Sequence, residues 1–91
     1  MRWLEVPKVS EFFGISIYVY AGDHEPPHFH ARYAEFMASI AIADLSVLRG
    51  SLPRRAMRLL REWALLHRPE LLDAWLEAQH HQRVGKIAPL E

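Results

Sequence analysis

His28-Phe29-His30-Ala31-Arg32-Tyr33-Ala34-Glu35-Phe36-Met37-Ala38-Ser39-Ile40-Ala41-Ile42 reads as two strands folded back on each other. Residues two apart share one face of a strand. Phe29, Ala31 and Tyr33 therefore point one way, and His28, His30 and Arg32 the other. In the second half Phe36, Ala38, Ile40 and Ile42 oppose Met37, Ser39 and Ala41. A two- or four-residue turn around Ala34-Glu35 gives the same pairing: Phe29 opposite Ile40, His30 opposite Ser39, His28 opposite Ala41. The apolar sets then coincide, and a slip of one residue would separate them.

Upstream, residues 15–20 alternate in the same manner, with Ile15, Ile17 and Val19 against Ser16, Tyr18 and Tyr20. Residues 9–13 form a short strand ended by Gly14, and residues 1–8 read as a lead-in around Pro7. Between residues 20 and 28, Gly22-Asp23 supplies turn chemistry, and Pro26-Pro27 imposes an extended path lacking two amide donors. Residues 44–49 read as a further strand, closed by Gly50-Ser51.

Helical periodicity takes over downstream. Over residues 53–67, Leu52, Ala56, Leu59, Leu60, Trp63, Leu66 and His67 share one face at about 100° per residue, with Arg54, Arg58, Arg61 and Arg68 opposite. Ser51 is the expected cap, with Pro53 near the first turn. Pro69 disfavours helical geometry at Arg68 and predicts a break. A second helix over residues 70–81 carries Leu71, Leu72, Trp75 and Leu76 on its buried stripe and ends at Gly85, before a tail over residues 85–91. Strands first and helices afterwards define a single α+β domain over residues 1–91: a three- to four-stranded antiparallel sheet with two C-terminal helices packed on one face.

Composition narrows the chemistry. The chain has 91 residues, near the size where one core is only just sufficient, so a homo-oligomer or a partner is an expected supplement. Its 11 basic and 11 acidic residues cancel, which argues against a strong non-specific grip on nucleic acid. The absence of cysteine excludes disulfides, thiolate metal sites and thiol nucleophiles, so any metal must be held by nitrogen and oxygen. No apolar run has the length of a membrane span or a signal peptide, and the cytoplasm is the expected location.

Chemistry concentrates between residues 22 and 33. Two imidazoles two apart on a strand have β-carbons roughly 6 to 7 Å apart and can converge on one ion. His28 and His30, completed by His24 or Asp23 from the proline loop, would make an open site for a divalent metal, zinc or iron. Small neighbours, Ser39 and Ala41, leave room for it. His-x-His pairs also occur in strands without any chemistry, and metal analysis separates the two readings. A metal-free alternative uses His28 and His30 as base and acid, with Arg32 holding a phosphate and Tyr18 or Tyr20 stacking on a base.

Arg54, Arg58 and Arg61 present a stripe suited to a phosphate backbone or an acidic partner protein, or a merely solvated face. His67 lies on the apolar helix face and is expected to be a core histidine with one hydrogen bond. His80 and His81 read as a solvated helix end. The His-hydrophobe-His strand also resembles that of single-strand nicking endonucleases, but those use a tyrosine nucleophile, commonly on a helix, and both helices here lack tyrosine.

Phe12-Phe13-Gly14, Asp23-His24-x-Pro26-Pro27-His28-Phe29-His30-Ala31, Gly50-x-Leu52-Pro53-Arg54-Arg55-Ala56, Glu62-Trp63-x-x-x-His67 and Lys86-Ile87-x-Pro89-Leu90 resemble the small bacterial family titled domain of unknown function 4160. The resemblance brings no reaction and no catalytic residues. It implies a neighbouring gene for a domain of unknown function 2442 protein, and hence a toxin–antitoxin-like two-gene unit. Two functions are therefore expected: an interaction module acting with that partner, or a small metal-dependent hydrolase or nuclease using the His-x-His strand.

Overall fold

The computed structural model describes residues 7–91; of the expected lead-in over residues 1–8, residues 1–6 lie outside the described residues and Lys8 already belongs to the first strand. Five strands, β1 (Lys8–Phe12), β2 (Ile15–Tyr18), β3 (His28–Tyr33), β4 (Phe36–Ala41) and β5 (Val47–Gly50), precede two helices, α1 (Arg54–Leu66) and α2 (Arg68–Gln79). The strands form one antiparallel sheet in the order β1-β2-β3-β4-β5, each paired with its neighbour in sequence. No helix among the described residues is long and apolar enough to cross a membrane.

The β3–β4 pairing follows the alternation: Phe29 faces Ile40, His30 faces Ser39 and His28 faces Ala41. Tyr33 pairs with Phe36, so the turn holds two residues, with Ala34 at φ 52°. The sheet has five strands rather than three or four because both edges are full strands interrupted by bulges. In β1 the register shifts between Lys8 and Ser10; in β5 the partners step from Arg49 to Val47, leaving Leu48 unpaired. A bulge breaks the period of two on which the sequence reading relies.

Helices cover the face bearing Ile15, Ile17, Val19, Phe29 and Ile40, all fully buried. Trp63 of α1 is the hub: its ring lies 5.0 Å from Phe12 and 6.2 Å from Phe29. Trp63 Nε1–H donates to Ala88 O at 2.8 Å, and Ile87 N–H donates to Val9 O at 2.8 Å, so the tail packs over the sheet edge. Truncating a buried Phe or Trp to Ala typically costs about 3–5 kcal/mol.

Several expectations about the helices are corrected. Pro53 occupies the position before α1 and no side chain caps it, so Ser51 has no such role. α2 starts at Arg68, because Pro69 sits at the first turn, where its missing amide costs nothing; the break falls one residue earlier, on His67. α2 ends at Gln79, well before Gly85. Leu66, Leu72 and Leu76 are exposed, at 67%, 41% and 46%. The stripe α2 buries is Leu71, Ala74, Trp75 and Ala78, where small residues let the helix approach closely. Arg68 leaves the solvent row and donates from Nε to Ile42 O at 3.2 Å. His67, expected in the core, is only half-buried: it packs on Trp63 and makes one hydrogen bond, to the exposed Glu70.

Candidate metal centre

β3 lifts His28 and His30 out of the sheet side by side, their ring centroids 5.0 Å apart. The loop before β3 folds back over them. Pro27 O accepts from Ile42 N–H at 3.0 Å, tying the loop to the end of β4 and setting Asp23 above both rings. Asp23 Oδ2 lies 2.8 Å from His30 Nε2 and 3.3 Å from His28 Nε2. Ligand atoms of the three residues lie within 4.8 Å of one another, and all three side chains are partly buried.

The outer ring nitrogens are held as well. His28 Nδ1–H donates to Pro26 O at 2.8 Å. A carbonyl only accepts, so neutral His28 carries its proton on Nδ1 and turns the bare lone pair of Nε2 toward the Asp23 carboxylate. Two acceptors then face each other across 3.3 Å, an arrangement that favours a cation between them. His30 Nδ1 lies 3.2 Å from Ser39 Oγ, a hydroxyl that can either donate or accept. Both Nε2 atoms are thus directed at one carboxylate oxygen while both Nδ1 atoms are fixed from behind. Metal-bound histidines are characteristically held in this way.

Other aromatic rings crowd the pair. Tyr20 meets His30 edge-on at 4.5 Å and stacks with Tyr18 at 6.1 Å. Burial raises the Tyr20 pKa above the ordinary phenol value, with smaller contributions from Tyr18 and Asp23. On the other side Trp75 of α2 comes within 5.2 Å of His28. His28 thus touches the helical layer although its side chain alternates away from Phe29, because α2 extends to the end of β3.

The centre opens into a cleft of about 600 Å³. Asp23, Glu25, His28 and His30 form its near wall, and Met37, Leu48 and Arg49 its far wall. Of the residues expected at a site, Asp23, His28 and His30 come together. His24 lines the cleft but stands outside the ligand cluster. Arg32 is exposed opposite Met37, and Tyr18 pairs with His30 across β2–β3; neither lines the cleft. Arg54, Arg58 and Arg61 are exposed on α1 and do not line it either. Ser39 does more than leave room, since it contacts His30 Nδ1, and Arg49 joins the lining although no motif marks it. Extending the β3–β4 register one strand further identifies Arg49, since Ser39 pairs with both His30 and Arg49.

Fold and site together define an α+β domain in which a five-stranded meander, backed by two helices, holds a two-histidine, one-carboxylate cluster. The family profile described as a domain of unknown function, DUF4160, matches residues 14–76, and the chain belongs to that family. The matched span contains Asp23, His28, His30, Ser39 and Arg49. Neither the curated proteins nor the solved structures contain a match to the chain.

Proposed function

We propose that Asp23, His28 and His30 bind one divalent metal ion and that the protein is a metal-dependent hydrolase. The observation that carries this reading is the shared orientation of the rings, with both Nε2 atoms on Asp23 Oδ2 and both Nδ1 atoms held from behind. Ligands about 2.0–2.2 Å from an ion are separated by roughly 2.9 Å at a right angle and 3.4 Å at the tetrahedral angle. The observed 2.8 and 3.3 Å edges match those separations. The third edge, between the two rings, is no longer than 4.8 Å.

Two imidazoles and a carboxylate suit zinc or iron(II) and leave coordination positions free toward the cleft. A bound ion would supply Lewis acidity at an oxygen of the substrate. Asp23 offsets the charge of the ion, Pro26 O and Ser39 Oγ hold the rings, and Trp75 and Tyr20 limit water around them. Calorimetric titration of protein free of any histidine tag tests the reading. Stoichiometric zinc uptake by the native chain, lost in the His28→Ala/His30→Ala double variant, supports it; no uptake of zinc, nickel or iron(II) overturns it.

A second reading, a module that docks a partner protein, is favoured by the arginine row. Arg54, Arg58 and Arg61 are exposed, and none takes part in an ion pair among the described residues. Co-expression with the protein of the adjacent gene tests it. Co-purification that disappears when the three arginines become glutamate supports docking, and co-purification indifferent to that change removes the arginines from it.

A further inference from the structure

We infer that the cleft takes a phosphodiester, with Arg49 holding an unesterified oxygen of the phosphate opposite the metal centre. The inference rests on the metal reading above and assigns a substrate class to the same site. Arg49 sits in the row of residues that runs Tyr18, His30, Ser39, Arg49 across four strands. Ser39 separates it from His30, so the backbones of His30 and Arg49 are two strand spacings apart, roughly 9.5 Å. That gap accommodates a ligand bound between an ion at His30 and a long side chain reaching in from β5.

The bulge in β5 sets up this wall. In a regular strand Leu48 and Arg49 would point to opposite faces; with Leu48 unpaired, both line the cleft. The guanidinium of Arg49 has no ion pair or side-chain hydrogen bond among the described residues. Beside it Met37 and Leu48 are 47% and 45% exposed, two large apolar side chains facing a polar centre. Exposed apolar groups gathered at a charged cleft are a ligand-binding pattern.

Charge selects among anions. With a divalent ion bound, the two positive charges of the ion and the one of Arg49 exceed the carboxylates of Asp23 and Glu25 by one. The single negative charge of a phosphodiester balances this excess, whereas a phosphate monoester carries about −1.5 to −2 at neutral pH. A diester also presents two unesterified oxygens, one for the ion and one for the guanidinium, and two organic arms. One arm lies over Met37 and Leu48 and the other toward Pro26, which lines the opposite side. A carboxylate of equal charge has only one arm. In the hydrolysis this allows, the oxygen of water joins phosphorus and one phosphorus–oxygen ester bond breaks. The alcohol leaves with one proton of the water, and the other stays on the monoester product.

The test is calorimetry on zinc-loaded, tag-free protein with a dithymidine monophosphate as probe, beside phenyl phosphate and acetate. Arg49 is exposed, so Arg49→Gln should keep the fold and the zinc affinity. Its affinity for the dinucleotide should fall about tenfold or more, as expected for a lost charged hydrogen bond. Met37→Ala should weaken the dinucleotide while sparing acetate. Equal binding of the dinucleotide by the native and Arg49→Gln proteins overturns the inference, as does phenyl phosphate or acetate binding as tightly as the diester. If the native chain takes up no zinc, the zinc isotherm itself shows that the metal reading has failed and the inference with it.

Discussion

Asp23 Oδ2 stands 2.8 Å from His30 Nε2, seven residues further along the chain. The separation is bridged by a loop whose two prolines fix its path and whose Pro26 carbonyl holds the neighbouring ring. Asp23→Asn preserves shape and removes the charge. Zinc affinity is expected to drop by more than about 100-fold, beyond the 10–100-fold typical when only an outer partner is lost. Competition against a chromophoric chelator measures it, and unchanged affinity would remove Asp23 from the ligand set.

In the proposed metal centre Ser39 contacts His30 Nδ1, on the side of the ring away from Asp23. Ser39→Ala is expected to weaken zinc by about tenfold through loss of the Nδ1 contact, with no change in fold. A chelator competition on Ser39→Ala and Ser39→Thr distinguishes positioning from packing, because Thr restores the hydroxyl. If both variants bind zinc as the native chain does, the hydroxyl does not orient the ring.

Gly50 holds the far wall of the cleft. Its φ is +75°, and an added Cβ would come within 2.1 Å of Met37 O, a backbone atom that cannot swing aside. Gly50→Ala should destabilise the domain by more than about 2 kcal/mol, from clash and backbone strain together. Urea denaturation reads the loss directly. A variant as stable as the native protein would mean that β4 and β5 part easily.

Asp44 makes the β4–β5 connection sensitive to acid. Its carboxylate is favoured first by the Ser46 hydroxyl and then by the Ser46 amide, which donates to Oδ1 at 3.0 Å, so its pKa is lower in the folded state. A lowered carboxyl pKa contributes stability above the ordinary carboxylate range, and that stability is lost as pH falls through the folded value. Asp44→Asn should therefore melt lower than the native protein at neutral pH, with the gap closing as pH falls below about 4. Thermal melts across that range check the sign; a gap that stays constant contradicts it.

Trp63 joins the helical layer to the tail. Trp63→Phe keeps a ring in the core but withdraws the donor to Ala88 O, leaving that carbonyl short of a partner. A loss of about 1–3 kcal/mol is expected. For a domain of this size each kcal/mol corresponds to roughly 4–8 °C in Tm.

The readable part of the fold was that in which a short turn ties two alternating strands together. The Phe29–Ile40 and His30–Ser39 pairs follow from polarity alone once Ala34-Glu35 is taken as the turn. The edges were legible only as runs of strand, because the extra residues Val9 and Leu48 each reset the alternation and so hide which face Arg49 takes. On α2 Leu71 and Trp75 are buried as their spacing implies, but the bulky Leu72 and Leu76 are exposed and the small Ala74 and Ala78 complete the buried stripe instead. Of the candidate site, the residue types were evident from His-x-His and the nearby aspartate. The choice of Asp23 over His24 was not, because it depends on how the loop folds back.

The order of the strands has a kinetic consequence. When every ladder joins neighbours in sequence, little chain entropy is lost before each hairpin gains its contacts, and such topologies fold fast for their class. The seam between Ile87 and Val9 is different, because it joins opposite ends of the described chain. During synthesis the sheet can therefore zip up early, while the pocket around Trp63 stays unsealed until the ribosome has released residues 87 and 88. For that interval the indole of Trp63 lacks its acceptor and the open side of β1 lacks its seam, so the closing of the core waits on the tail.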